Sequence, residues 1–257
     1  MEKKHCTAII LAAGSGKRMN STTAKQFMTL CGKPIVWYSL NTVEQSQIVE
    51  DCVVVTGEQD IDYVRQEIVQ KYGFQKVRGI IAGGSERWES VANALAAIER
   101  GQTEVPDGEG YIFIHDGARP FLSEKILQST LNAVEQYGAC VAAVPSKDTI
   151  KLSDEAGFAA ATPDRRSVWS VQTPQVFERK LITKAYEKLM NQECREGKES
   201  VLVTDDAGVV ELFTDRKVYL AEGSYQNIKI TTPEDLKIAE VFLKRNGDKY
   251  EIKQNCY

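Results

Sequence analysis

The densest chemical signal lies near the start of the chain, where Ala12-Ala13-Gly14-Ser15-Gly16-Lys17-Arg18-Met19 follows the apolar run Ala8-Ile9-Ile10-Leu11. Glycines and small residues let successive backbone N–H groups turn toward an anion, and Lys17, Arg18 and nearby Lys25 bring charge that can neutralise a polyphosphate. Two familiar glycine loops do not fit. Met19 occupies the third glycine position of a G-x-G-x-x-G dinucleotide fingerprint, and about 20 residues on, Gly32-Lys33-Pro34-Ile35 offers no acid for a ribose. A P-loop needs a longer spacer before the lysine and a Ser or Thr after it, and both are missing. The segment is therefore read as a third kind of nucleotide loop.

A second constellation is Ile114-His115-Asp116-Gly117-Ala118-Arg119-Pro120, directly after the strand-like run Tyr111-Ile112-Phe113-Ile114. Asp116 then stands at the same sheet edge as the glycine loop. A carboxylate beside a polyphosphate most simply holds Mg²⁺, which takes one or two carboxylates plus phosphate oxygens, and Arg119 can grip a second phosphate bidentately. The plainer alternative is a helix-capping Asp beside a surface Arg. Gly83-Gly84-Ser85-Glu86-Arg87-Trp88-Glu89-Ser90-Val91 also joins a strand to a helix. Its paired glycines permit close approach to a flat base that Ser90 and main-chain groups could hydrogen-bond, or they mark an ordinary turn and helix start. In Ile228-Lys229-Ile230, strand alternation turns Lys229 to the face opposite its apolar neighbours, either into solvent or toward an anion.

These groups need a scaffold. Apolar runs recur at Ala8 to Leu11, Cys52 to Val55, Gly79 to Ala82, Tyr111 to Ile114 and Ala139 to Val144. Between them lie stripes of helical period: Ile35, Tyr38, Val43 and Ile48, then Val91, Ala94, Leu95 and Ile98, then Ile126, Leu127, Leu131 and Val134. Continuous apolar strands alternating with amphipathic helices predict a doubly wound, mostly parallel α/β sheet covered on both faces. The alternation breaks from Pro145 to Val171, a polar stretch with turn chemistry at Asp154-Glu155-Ala156-Gly157, which predicts a protruding hairpin over 146–171: a lid, an arm around a second subunit, or a surface loop. Further on, a helix is expected over Phe177 to Met190 and strands at Val218 to Leu220 and Ile228 to Ile230. A last helix opens at Thr232-Pro233-Glu234-Asp235, and a polar tail occupies 246–257.

Composition narrows the function classes. The 257 residues are 42% hydrophobic and 26% charged, which suits a folded α/β domain over 1–245 rather than disorder or a fibrous repeat. A net charge of −4 carries no basic excess, so nucleic acid is not an expected partner and anion binding has to be local. The longest apolar stretch falls far short of a membrane span, and the opening residues show no signal-peptide pattern. A cytoplasmic protein is expected. Six cysteines without a C-x-x-C pair read as buried thiols, and with only two histidines neither a His-rich zinc site nor a Ser-His-Asp triad is expected.

Taken in order, these segments resemble the 2-C-methyl-D-erythritol 4-phosphate cytidylyltransferase family. The match runs from about Cys6 to Leu243. Its carriers are the loop Ala12 to Met19, Lys25-Gln26-Phe27, Gly83-Gly84 with Arg87 and Ser90-Val91, His115 to Pro120, Asp148-Thr149-Ile150-Lys151, Gln172-Thr173-Pro174-Gln175, Thr204-Asp205-Asp206-Ala207 and Asn227-Ile228-Lys229-Ile230-Thr231. The resemblance implies a Rossmann-like nucleotidyltransferase of the non-mevalonate isoprenoid pathway that joins CTP to methylerythritol phosphate, releases pyrophosphate and requires Mg²⁺. It further implies that Leu11, Ala12, Ala13, Gly14, Ser15 and Gly16 wrap the triphosphate, and that Gly83, Gly84, Ser85 and Ser90 hold the cytosine and ribose. Lys17, Arg18, Lys25 and Lys229 would be catalytic, and Asp116 would carry the metal. The sugar-phosphate contacts would fall on Arg119, Thr149, Thr173, Thr204 and Arg165, the last reaching in from a partner subunit through the hairpin arm of a homodimer. Asp206 stands where the family often has Glu, and the stretch before Thr204 is longer than usual. Ribitol 5-phosphate cytidylyltransferase, with the same nucleotide site and another polyol phosphate, is the nearest alternative; a non-catalytic nucleotide sensor is an alternative of another class.

Overall fold

The computed structural model of the chain describes residues 3–14, 24–193 and 203–245. In chain order the elements are β1 (His5–Ala12), β2 (Thr29–Leu30), β3 (Lys33–Pro34), α1 (Ile35–Gln45), β4 (Asp51–Thr56), α2 (Ile61–Tyr63, continuing as a π-helical stretch Val64–Gln70), β5 (Val77–Ala82), α3 (Arg87–Glu99), β6 (Gly110–Asp116) and α4 (Glu124–Tyr137). Then follow β7 (Ala139–Pro145), β8 (Leu152–Ser153), β9 (Ala159–Ala161), β10 (Trp169–Glu178), α5 (Arg179–Glu193), α6 (Asp206–Phe213), β11 (Tyr219–Glu222) and α7 (Pro233–Arg245).

Seven strands make one sheet in the order β11-β7-β10-β6-β1-β4-β5. Among the described residues, only β10 runs antiparallel to its neighbours in this sheet. Because side chains alternate along a strand, each apolar run feeds two cores. Ala8, Ile10 and Val54 pack on one face with Tyr38 and Leu40 of α1 and Ile126 of α4. Ile9, Val53, Val55, Ile112 and Ile114 pack on the other with Val91 and Leu95 of α3 and Ile182 and Leu189 of α5. Burial on both faces is why these strands carry almost no polar residues, and it is the doubly wound architecture that the periodicity predicts. Helix ends follow local chemistry as well. Ser123 caps α4 by accepting from the Ile126 N–H, and Gly138, at φ 77°, closes it in the left-handed region that glycine adopts without strain.

Three local expectations are corrected. Phe177 lies within a strand rather than starting a helix, which begins at Arg179, and Trp169–Glu178 forms β10 between β7 and β6. Its register shifts between Val171 and Gln175, so Pro174, which has no N–H, sits where the ladder is interrupted. The hairpin is present, with β8 and β9 paired antiparallel, but the sheet reclaims the chain at Trp169, short of the expected boundary at 171. Ile228 to Ile230 forms no strand. Non-ladder partners take the backbone groups there instead: the Arg119 guanidinium donates to the Asn227 carbonyl at 2.8 Å, and the Ile230 N–H donates to the main-chain carbonyl of Ala118 at 2.8 Å. The last helix opens at Pro233 as expected, with the Asp235 carboxylate accepting from the Thr231 and Thr232 N–H groups, each at 2.8 Å. Cys6, Cys52 and Cys140 are buried thiols; burial pushes Cys6 and Cys140 up to about 12. Among the described residues no helix is long and apolar enough to cross a membrane.

Candidate active site

Parallel pairing brings the chemistry to one edge. Leu11, the last residue before the glycine loop, lies beside Asp116 in the β1–β6 register. Both strands point their carboxyl ends the same way, and β5 adds Gly83 and Gly84 at that edge, where open α/β sheets bind ligands. A cleft of about 400 Å³ opens there, and Leu11, Ala13, Gly14, Lys25, Gly84, Ser85 and Ser90 are among its walls. Ala12 is buried and its carbonyl accepts from the Gln26 amide, tying the loop to the Lys25–Phe27 turn. Gly83 is glycine for want of room: a Cβ would come within 2.8 Å of Ser90 Oγ and closer still to Ala13. Ser90 holds this turn, accepting from the Gly84 N–H at 3.1 Å and donating to the Glu86 carbonyl at 3.3 Å. Ser15, Gly16, Lys17 and Arg18 lie outside the described residues.

Asp116 is the electrostatic centre. Its carboxylate is 2.9 Å from Lys229 Nζ, 3.4 Å from Arg87 Nε and 3.6 Å from Arg119 Nε. Burial works to raise its pKa, and these cations outweigh burial, holding the carboxyl well below the usual range. Arg87 in turn forks onto Asp206, Nη1 to Oδ1 at 2.8 Å and Nη2 to Oδ2 at 2.7 Å, while Tyr186 donates to the same carboxylate at 2.6 Å. Asp206 is fully buried, so that pair ties the start of α3 to the start of α6. Neighbouring His115 is buried as well, and burial pushes its imidazole down to about 4.

A second cleft of about 250 Å³ shares Arg87, Asp116 and Lys229 with the first, and adds Arg119, Thr173, Thr204, Gln175 and Asp205. Among the described residues Arg119 Nε is a buried donor without a hydrogen-bond partner, the kind of group an anion satisfies. Thr149 and Arg165 line neither cleft; both are exposed on the arm.

Comparison with known proteins places this arrangement. Residues 6–245 match the sequence profile of the family described as IspD, 2-C-methyl-D-erythritol 4-phosphate cytidylyltransferase. The chain is similar to a protein of that name from Lachnospira eligens, 48% identical over 238 residues, 93% of this chain and 99% of the relative. The chain belongs to the 2-C-methyl-D-erythritol 4-phosphate cytidylyltransferase family. A relative of the same name from Lachnoclostridium phytofermentans is 44% identical over 248 residues, covering 96% of this chain and 99% of its own. The crystal structure of 4-diphosphocytidyl-2C-methyl-D-erythritol synthase from Anaerococcus prevotii superimposes with a TM-score of 0.79 at 35% identity, over 95% of this chain and 98% of that one.

In this cytidylyltransferase-family chain the donor set suits Mg²⁺ of one kind only. Among the described residues no three His, Cys, Asp or Glu side chains cluster as a protein cage would require. Asp116, the carboxylate that lines both clefts, fits an ion that takes its remaining ligands from phosphates. Arg87, Gln175 and Asp205 line the clefts although single-residue reasoning gave them no role. Gln175 joins β10 to α6, donating to Asp205 and accepting from the Ala207 N–H, each at 2.9 Å. The signals were there in part: Arg87 follows the paired glycines by three residues, and its acidic partner sits in the Thr204 to Ala207 segment, but nothing local joins positions 119 residues apart.

Proposed function

We propose that this chain transfers CMP from CTP to 2-C-methyl-D-erythritol 4-phosphate, forming 4-diphosphocytidyl-2-C-methyl-D-erythritol and pyrophosphate in the non-mevalonate isoprenoid pathway. The observation that carries this reading is the pair of adjoining clefts with Arg87, Asp116 and Lys229 in their common wall. The glycine-loop cleft takes CTP, with Gly84, Ser85 and Ser90 on the side of the base and ribose and Lys25 on the side of the phosphates. The Arg119, Thr173 and Thr204 cleft takes the sugar phosphate.

A phosphate monoester oxygen of the acceptor attacks the α-phosphorus of CTP, and the bond from that phosphorus to the bridging oxygen breaks as pyrophosphate leaves. The attacking phosphate is already ionised near neutral pH, so no side chain has to remove a proton. Positioning and charge stabilisation are the chain's task. Lys229 and Arg87 bring the two anions together, and Lys17, Arg18 and Lys25 stabilise the triphosphate. Asp116 would hold Mg²⁺, which when bound neutralises phosphate charge; Lys229, now paired with Asp116, would then turn to the phosphates.

The arm completes the site from a second copy in this reading, delivering Thr149 and Arg165 to a partner's acceptor cleft in a homodimer. In support, the arm exposes Ile150, Leu152 and Phe158, the last at 73%, an apolar surface that a partner would cover. A CTP-dependent step fits a cytoplasmic enzyme, with one catalytic domain over 1–245 including the arm.

The deciding experiment measures pyrophosphate release with CTP and Mg²⁺, offering methylerythritol phosphate and ribitol 5-phosphate in parallel. Preference for the first is expected. Preference for the second would move the acceptor and keep the mechanism, whereas CTP binding without release from either would leave a nucleotide sensor.

A further inference from the structure

His115 makes no contact that the mechanism above requires, yet it sits at the centre of a buried chain of hydrogen bonds. Its Nε2 lies 3.2 Å from the Arg119 carbonyl, and its Nδ1 lies 3.0 Å from the Thr173 hydroxyl. That hydroxyl oxygen also receives the Asp116 backbone N–H at 3.1 Å. The directions of these bonds can be deduced. A carbonyl oxygen only accepts, so Nε2 carries the hydrogen. A buried neutral ring then has a bare Nδ1, which must accept from the Thr173 O–H. The Thr173 proton is thereby committed inward and one lone pair is taken by Asp116. Any group that bonds to this oxygen from the second cleft has to bring a proton of its own.

We propose that His115 is a positioning residue that fixes Thr173 as an acceptor-only group, so that Thr173 recognises a hydroxyl of the polyol and not an oxygen of its phosphate. This rests on assigning the second cleft to the sugar phosphate. It separates the labour of that cleft: Arg119 and Lys229 answer to the phosphate and Thr173 to the alcohol portion, which is how two ends of one small molecule are told apart. It also gives the buried ring a function in a site whose chemistry needs no base.

The test begins with the protein as it is. The chain has two histidines, so two-bond ¹H–¹⁵N spectra of the labelled enzyme at pH 7.5, assigned with His115→Asn, resolve the tautomer of each ring. The neutral Nε2–H form is expected at His115; an Nδ1–H tautomer or an imidazolium would overturn the proposal. This spectrum is independent of turnover, so its failure differs from failure to use methylerythritol phosphate. In kinetics, His115→Leu frees the Thr173 proton and is expected to raise KM for the acceptor about tenfold, with KM for CTP within about twofold. His115→Asn, whose Oδ1 can take the place of Nδ1, is expected to recover much of that loss. An equal rise in both KM values, or no rescue by Asn, would reduce His115 to a structural residue and overturn the assignment.

Discussion

Lys229 Nζ and the Asp116 carboxylate are 2.9 Å apart in the wall that two clefts share. Removing the lysine leaves Arg87 and Arg119 beside the carboxylate, so the fold keeps its charge balance while the reacting phosphates lose a donor. Lys229→Ala is therefore expected to lower kcat by about 10²–10³ with a thermal midpoint close to wild type, as is typical when one transition-state donor is lost. An unimpaired variant would remove Lys229 from the mechanism. His115 makes a separate prediction about stability. Its imidazole is pushed down to about 4 in the folded protein and titrates near ~6.5 in an unfolded chain. The unfolded state takes up the proton first, so this stability is intact above about pH 6.5 and falls by up to about 3 kcal/mol as the pH drops toward 4. Asp116, held low in the fold, adds to the loss only below the unfolded carboxylate value of about 4. Urea midpoints compared at pH 7 and 4.5 should separate in wild type and draw together in His115→Asn; parallel behaviour would refute the assignment.

At the scale of elements, the clefts depend on how α3 and α6 are fastened. Asp206 is wholly buried, and the Arg87 fork supplies its countercharge, with Tyr186 also donating to it. Arg87→Ala strands a buried carboxylate, for which about 3–5 kcal/mol of destabilisation is typical, and a urea titration should show a lower midpoint at unchanged slope. A midpoint within error of wild type would mean that the Arg87–Asp206 pair does not hold the two helix starts together. This pair also shows where the sequence stops being readable. The shared edge of Asp116, Ala12 to Gly14 and the Gly83 turn was legible because each follows a continuous apolar run, and parallel strands put such run ends on one edge. Alternation did not place Lys229: it presupposed a strand and left solvent or an anion open, whereas the segment forms no strand and is held by Arg119 and Ala118. β10 was not legible: Gln172, Thr173 and Pro174 look like a turn, and only the neighbours β6 and β7 make them sheet. Arg87 and Asp206 were visible as residues but not as a pair, since no periodicity links two helix starts so far apart.

At the scale of the molecule, one sheet edge brings together every described site residue except Thr149 and Arg165. Those two ride on a hairpin that exposes apolar side chains, and they line neither of the two clefts. If the arm serves a second copy, a body and an arm from different chains make each site, and two inactive variants can repair one another. In a mixed dimer of Lys229→Ala and Arg165→Ala chains, one site joins the intact Lys229 body to the intact Arg165 arm, while the other site carries both defects. Random pairing makes half the dimers mixed with one good site in two, so co-expression should restore about a quarter of wild-type pyrophosphate release. Separately purified variants, each a stable homodimer in gel filtration, should remain far below that level. If the arm instead folds back on its own chain, both sites of a mixed dimer stay broken. Co-expressed protein would then be no more active than the mean of the two variants.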